Sequence, residues 1–218
     1  MQKKLFSVKE MVLIAMLAAI AYVIVTFIRI PVVLFLKYEP KDVIITIGGF
    51  LLGPLAAFVT SLVVSLVEMF TISDTGPIGA LMNLLSTCSF ACTASLIYKK
   101  RHTLSGAILG LLLGSVVMVA AMLLWNWLIT PLYMGVDRSA VEGMLIPMFL
   151  PFNLLKAGLN SALVLVLYKP LVTALRKANL VPSKTQSAGN GSKTGVLILG
   201  FVLLATCILL LLVFQGKI

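Results

Sequence analysis

Residues 104–129, LSGAILGLLLGSVVMVAAMLLWNWLI, form a run of 26 without one acidic or basic side chain. The hydrocarbon core of a bilayer is about 30 Å thick, and a helix crosses it in about 20 mostly apolar residues. The run is therefore a membrane span, closed by Thr130-Pro131. Residues 196–214 are a second unbroken apolar stretch of this kind. The composition around them agrees. The 218 residues are 61% hydrophobic and only 11% charged, with a mean hydropathy of +1.13. Soluble domains are about 45–50% apolar and about 25% charged. So few charges cannot cover a soluble protein of this length, which excludes a soluble enzyme, a disordered chain and a nucleic-acid module. An all-α integral membrane protein is expected.

Cutting the rest at charges, prolines and glycines gives further spans at 8–28, 55–70, 78–98 and 145–175. The last is long and interrupted by Pro147, Pro151 and Pro170. Residues 43–52, stopped by Gly53-Pro54, read as a short second span. Residues 29–42 and 131–143 read as loops, the second of them polar. Residues 183–195 are a Ser/Gly-rich linker, and 196–214 make a seventh span. The net charge of +10 is a topology signal. With the N-terminus cytoplasmic, the inner side carries Lys3, Lys4, Lys9, Lys99, Lys100, Arg101, Lys169, Arg176, Lys177, Lys184 and Lys193. The outer loops carry Arg29, Lys37, Lys41 and Arg138, together with most of the acids. Basic residues gather on the cytoplasmic side of membrane proteins. The N-terminal run is too long for a signal peptide and is expected to stay as a span.

Several motifs carry no chemistry. Cys88, Cys92 and Cys207 lie in apolar helices and read as packing residues. Gly189-Asn190-Gly191-Ser192-Lys193-Thr194 lacks the spacing of a phosphate loop. The single histidine, His102, lies in a basic turn with no triad around it. No enzyme, metal site or cofactor is expected in this chain.

Lys156 is the informative residue. An ionisable group inside a span is costly and marks a functional site. Asn153 and Asn160 stand three before and four after it, so the three share one helical face. Asn126, near the outer end of its span, and Asn83, early in another, are candidates for the same outward-facing pocket. Amides both donate and accept, and Trp125, Trp127, Tyr133, Phe149 and Phe152 offer aromatic faces. Such a pocket suits a flat, neutral or weakly anionic heteroaromatic ligand. Glu68, the only acid within a span, is expected to pair with Lys156 or to face loop water. Ala15 and Ala19, and Gly106, Gly110 and Gly114, are small residues at four-residue spacing that let helices approach closely, either inside the bundle or against a partner.

Longer pieces of the chain carry a resemblance. They are Leu36-Lys37-Tyr38-Glu39-Pro40-Lys41-Asp42, Gly48-Gly49-Phe50-Leu51-Leu52-Gly53-Pro54, Gly79-Ala80-Leu81-Met82-Asn83, Leu124-Trp125-Asn126, Thr130-Pro131-Leu132-Tyr133-Met134-Gly135, and the run from Pro151 to Asn160. Together they resemble the riboflavin-specific substrate-binding (S) components of energy-coupling factor (ECF) transporters, the RibU type, over residues 5–182.

The resemblance implies a six-helix bundle over residues 1–182 that takes riboflavin, or flavin mononucleotide (FMN), from outside a bacterial cell membrane. The extra helix at 196–218 is not part of that pattern; it would place the C-terminus outside, as a lipid-facing appendage or a partner contact. The loop 29–42 would close over the ligand. Asn126, Asn153 and Lys156 match the family's polar flavin contacts, and Tyr38, Glu39, Asn83, Trp125, Tyr133 and Phe152 fall in the matching segments. Asn160 joins them from helical phase alone. Glu39 stands where aspartate is expected. Ala15 and Ala19 would dock on a transmembrane T component, with ATP used by two ATPase subunits of the complex. A stand-alone facilitator or secondary transporter is the competing reading.

Overall fold

A computed structural model describes residues 5–178 and 193–216. Helix α1, Val8–Phe27, opens on a capping box. The Ser7 amide donates to Glu10 Oε2 at 2.7 Å, and the Glu10 amide donates to Ser7 Oγ at 3.3 Å, satisfying two donors that a helix start leaves open. One face of α1 buries Leu13, Leu17, Ala21 and Val25.

The expected loop at 29–42 is instead a hairpin followed by a helix start. Strands β1, Ile30–Val33, and β2, Leu36–Tyr38, pair antiparallel with Ile30 opposite Tyr38 and Pro31 opposite Lys37. Val32, Val33, Leu36 and Tyr38 are β-branched, apolar or aromatic and favour strands. Their shortness, with a proline in β1, hides them from a reading by spans.

Helix α2, Lys41–Leu52, has twelve residues, ten of them buried. At about 1.5 Å per residue it reaches about 18 Å, short of a bilayer's hydrocarbon core. It is a short helix inside the bundle, wrapped by its neighbours, rather than a lipid-exposed crossing. Gly49 permits this: a Cβ there would fall 2.9 Å from Ala57 Cβ and closer still to Ser95 Oγ.

Helix α3, Pro54–Thr71, starts on a proline, where the missing N–H costs nothing. Helix α4, Gly76–Arg101, ends at His102 in the left-handed conformation. Helix α5, Leu104–Met134, crosses α4 at close range. A Cβ on Gly110 or Gly114 would sit 2.7 Å from the carbonyl oxygens of Ala94 and Phe90, so these glycines pack within the bundle.

Pro131 does not close the span. Helix α5 continues to Met134 and is capped by Gly135, at φ 65°. A proline so close to the helix end forfeits only one intrahelical bond. The expected polar loop at 131–143 is largely helical too: α6 covers Arg138–Met144. A π-helical turn, Leu145–Phe149, then leads into α7, Leu150–Lys177. Pro147 lies in that turn, Pro151 in the first turn of α7, and Pro170 is carried inside it.

Helix α8, Lys193–Phe214, is the additional C-terminal helix expected from the sequence and packs along α7. Among the described residues, six segments are long and apolar enough to cross a membrane, α8 among them and α2 not. Most of the linker expected at 183–195 lies outside the described residues.

Candidate binding site

Two chains of charged groups meet at the hairpin end of the bundle. The first runs from the hairpin into α2 and α3. Arg29 Nε donates to Glu39 Oε1 at 3.0 Å, and Arg29 Nη1 donates to the Ile72 carbonyl at 2.6 Å. Lys41 Nζ, fully buried, donates to Glu39 Oε2 and to Glu68 Oε1, each at 2.6 Å. Asn83 Nδ2 donates to Glu68 Oε2 at 3.3 Å. Burial alone would raise the Glu39 carboxyl, but Lys41, Lys156 and Arg29 outweigh it and hold that group below the ordinary carboxylate range.

The second chain centres on Asp42. Its carboxylate lies 3.2 Å from Lys156 Nζ and accepts from Thr87 Oγ1 at 2.7 Å and Asn160 Nδ2 at 3.3 Å. Lys156 Nζ also donates to Ser86 Oγ at 3.1 Å. Tyr38 OH donates to Asn160 Oδ1 at 3.1 Å, tying the hairpin to α7. Burial, then the Asp42 charge, pushes the Tyr38 phenol well above its ordinary range, so it stays a donor. Three cations (Arg29, Lys41, Lys156) face three carboxylates (Glu39, Asp42, Glu68). Pairing of this kind lets charges survive burial.

A cavity of about 40 Å³ sits beside both chains, among Asn83, Ser86, Met122, Phe152, Asn153 and Lys156, with Arg29, Lys37 and Glu39 at its hairpin side. Asn153 Nδ2 donates to the Phe149 carbonyl at 2.7 Å. Its Oδ1 is buried and has no hydrogen-bond partner among the described residues. A smaller space of about 10 Å³ adjoins, lined by Trp125, Ile129 and Tyr133, and shares Phe35, Thr75 and Met82 with the first. Phe35, in the hairpin turn, meets Tyr133 edge-on at 5.3 Å between centroids.

The structure thus gathers Asn83, Glu39, Phe152, Asn153 and Lys156 around one cavity and sets Trp125 and Tyr133 around its neighbour. Asn160 and Tyr38 stand behind the first cavity and hold Asp42 and the hairpin. Asn126 is fully buried but turned along its own helix: Nδ2 donates to the Met122 carbonyl at 2.7 Å, and Oδ1 accepts from Thr130 at 2.9 Å. Glu68 pairs with Lys41 rather than with Lys156. Asp42 and Lys41 escaped the sequence reading because they sit beside loop residues. The available signal was their place at the head of an otherwise apolar helix. Ala15 and Ala19 are exposed on the face of α1 away from the bundle.

The ECF transporter substrate-specific component family matches residues 9–168. The chain belongs to this family. Among relatives, a riboflavin transporter, RibU, of Staphylococcus aureus (strain TCH60) is 30% identical over 179 residues. The match covers 78% of this chain and 93% of that protein. A riboflavin transporter, FmnP, of Bacillus subtilis (strain 168) is 26% identical over 189 residues, covering 79% and 98%. A solved S component of a bacterial ECF transporter superposes with a TM-score of 0.64 at 31% identity, covering 77% of this chain and 98% of that one. This S component is therefore part of a membrane transporter rather than an enzyme. Helix α8 lies beyond the segment that the family matches.

Proposed function

We propose that this S component captures riboflavin at the hairpin end of the bundle. It would deliver the vitamin to the cytoplasm together with a transmembrane T component and two ATPase subunits that use ATP. The observation that carries the ligand reading is the pair formed by Asn153 Oδ1, a buried acceptor without a partner among the described residues, and Lys156, a buried donor in the same wall. The polar edge of a flavin ring alternates carbonyl oxygens with an N–H. It would supply what Asn153 lacks and accept from Lys156. A buried acceptor left unpaired costs about 1–3 kcal/mol, which such a ligand recovers.

Trp125, Tyr133, Phe152 and Phe35 offer faces for the ring system. A space of about 40 Å³ is far smaller than a flavin, so binding requires the hairpin to move and the two adjoining spaces to merge. Asn126, one turn from Met122, would be reached as they do.

The charge balance favours riboflavin over FMN. Lys156 is held by Asp42, Lys41 by Glu39 and Glu68, Arg29 by Glu39, and Lys37 by Asp74. A phosphate entering here would find no cation without a carboxylate beside it. The basic clusters at the opposite end support a reading in which that end, with the N-terminus, faces the cytoplasm and the hairpin faces outside.

The test is a titration of the purified protein with riboflavin and with FMN, followed by flavin fluorescence. Riboflavin should bind at one per chain and more tightly than FMN. Asn153→Ala and Lys156→Ala should each weaken it by about 1–3 kcal/mol, the scale for unpairing a buried group. Unchanged affinity in both variants would remove the site assignment. Flavin accumulation by the chain alone in vesicles, without ATPase partners, would favour a stand-alone transporter.

A further inference from the structure

Helix α8 is seated rather than appended. Gly158 of α7 faces Cys207, with a Cβ at that glycine falling 2.7 Å from the sulfur. Gly200 of α8 faces α7, where a Cβ would fall 3.0 Å from Val166. Small residues at both points let the two helices meet closely, the contact that holds helices together in lipid. The other face of α8 exposes Ile198, Phe201, Val202, Leu209 and Val213. The seat has a consequence at the hairpin end. Cys207 and Leu211 are buried in one cluster with Val32, Leu36 and Tyr38 of the hairpin and Phe152 and Leu155 of α7. One turn further on, Gln215 Nε2 donates to the Pro31 carbonyl at 2.9 Å. Pro31 lies in β1, opposite Lys37 of β2.

From this geometry we infer that α8 is a clamp on the hairpin and that Gln215 and Leu211 are positioning residues for ligand capture. They hold β1 against α7 and so set how often the hairpin lifts from the cavity. The inference rests on the proposed site only in what the hairpin admits; the clamp itself is a matter of contacts between α8 and β1. Because the hairpin lifts to admit the ligand and the same clamp re-forms over it, weakening the clamp should speed ligand entry and ligand exit together and leave the equilibrium affinity nearly unchanged. A merely structural loss would lower the fraction of binding-competent protein without raising either rate.

The experiment uses the full chain in detergent or nanodiscs with Gln215→Leu, Leu211→Ala and Gly200→Leu, the last wedging α8 from α7 away from the hairpin. Hydrogen exchange of the amides at 30–38 should quicken about fivefold for Gln215→Leu, the scale of one lost hydrogen bond, and more for the other two. Amides in α4 and α5 should keep their protection, which shows that the variants are folded. Stopped-flow riboflavin association and dissociation should both rise by a similar factor. Unchanged hairpin exchange in folded Gln215→Leu and Leu211→Ala overturns the clamp, and so does faster exchange without faster flavin rates in a wild type that binds flavin. A wild type that binds no riboflavin sinks the ligand reading instead, and hairpin exchange alone then decides the clamp.

Discussion

Lys156 and Asp42 show what can and cannot be read one residue at a time. Lys156 stands out in the sequence because nothing apolar explains a cation in the middle of a span. Asp42 does not, because it follows Lys41 and Pro40 and passes for a loop acid. Yet Asp42 is fully buried, and its carboxylate accepts from Thr87 and Asn160 while pairing with Lys156. Removing one partner of a buried pair leaves the other uncompensated, at a cost of about 3–5 kcal/mol. Asp42→Ala should therefore lower thermal stability strongly and weaken flavin binding, since Lys156 would no longer be held. Asp42→Asn keeps the shape and some of the hydrogen bonds and should be milder. A melting series of the two variants in the same detergent checks this. Equal melting temperatures for wild type and Asp42→Ala would mean that Asp42 does not hold Lys156 in the membrane.

The hairpin is the element that the sequence concealed. Spans are legible because each spends about 20 residues on one physical demand. Strands of four and three residues leave no comparable trace, and residues 29–42 pass for a loop. Their pairing sets Lys37 at the outer edge, where its Nζ donates to Asp74 Oδ2 at 2.6 Å, joining the hairpin to the turn before α4. Lys37 holds the Asp74 carboxyl below its ordinary range, chiefly through that hydrogen bond. A carboxyl with a lowered folded value contributes fully above its unfolded value, and the contribution fades as pH falls through the folded one. This tie should therefore be intact at neutral pH and lost at pH values below the ordinary aspartate range. Hairpin amide exchange, corrected for its intrinsic pH dependence, should quicken on acidification in wild type. Asp74→Asn should show the faster exchange already at neutral pH and flatten that part of the profile. A variant with the wild-type profile would show that the pair does not restrain the hairpin. The same logic separates α2 from the longer helices: its apolar sequence is plain, but its burial follows from glycines that pack against other helices.

At the scale of the whole molecule, the bundle divides its surfaces between tasks. The hairpin end gathers the balanced charges and the cavity. The opposite end carries the lysines and arginine that close α4. Among the described residues nothing covers the flank of α1: Met11, Val12, Ala15, Ala19 and Val23 are all exposed there, while Leu13, Leu17 and Ala21 face inward. The sequence showed small residues at the right spacing on α1 and α5 but could not say which stripe faces a neighbour within the chain. The structure separates them, since Gly110 and Gly114 are used up against α4 and the alanines are free. For a family whose members are substrate-specific parts of a larger transporter, that free face is where a transmembrane partner would approach most closely. Ala15→Trp and Ala19→Trp place a bulky ring on it, away from the cavity. Both variants should bind riboflavin as wild type does when purified, and both should lose uptake when expressed with the T component and ATPases. Co-purification of the complex should fall in parallel. Uptake at the wild-type level in both would move the docking face elsewhere on the bundle, while loss of flavin binding itself would mean that α1 serves the site rather than the partner.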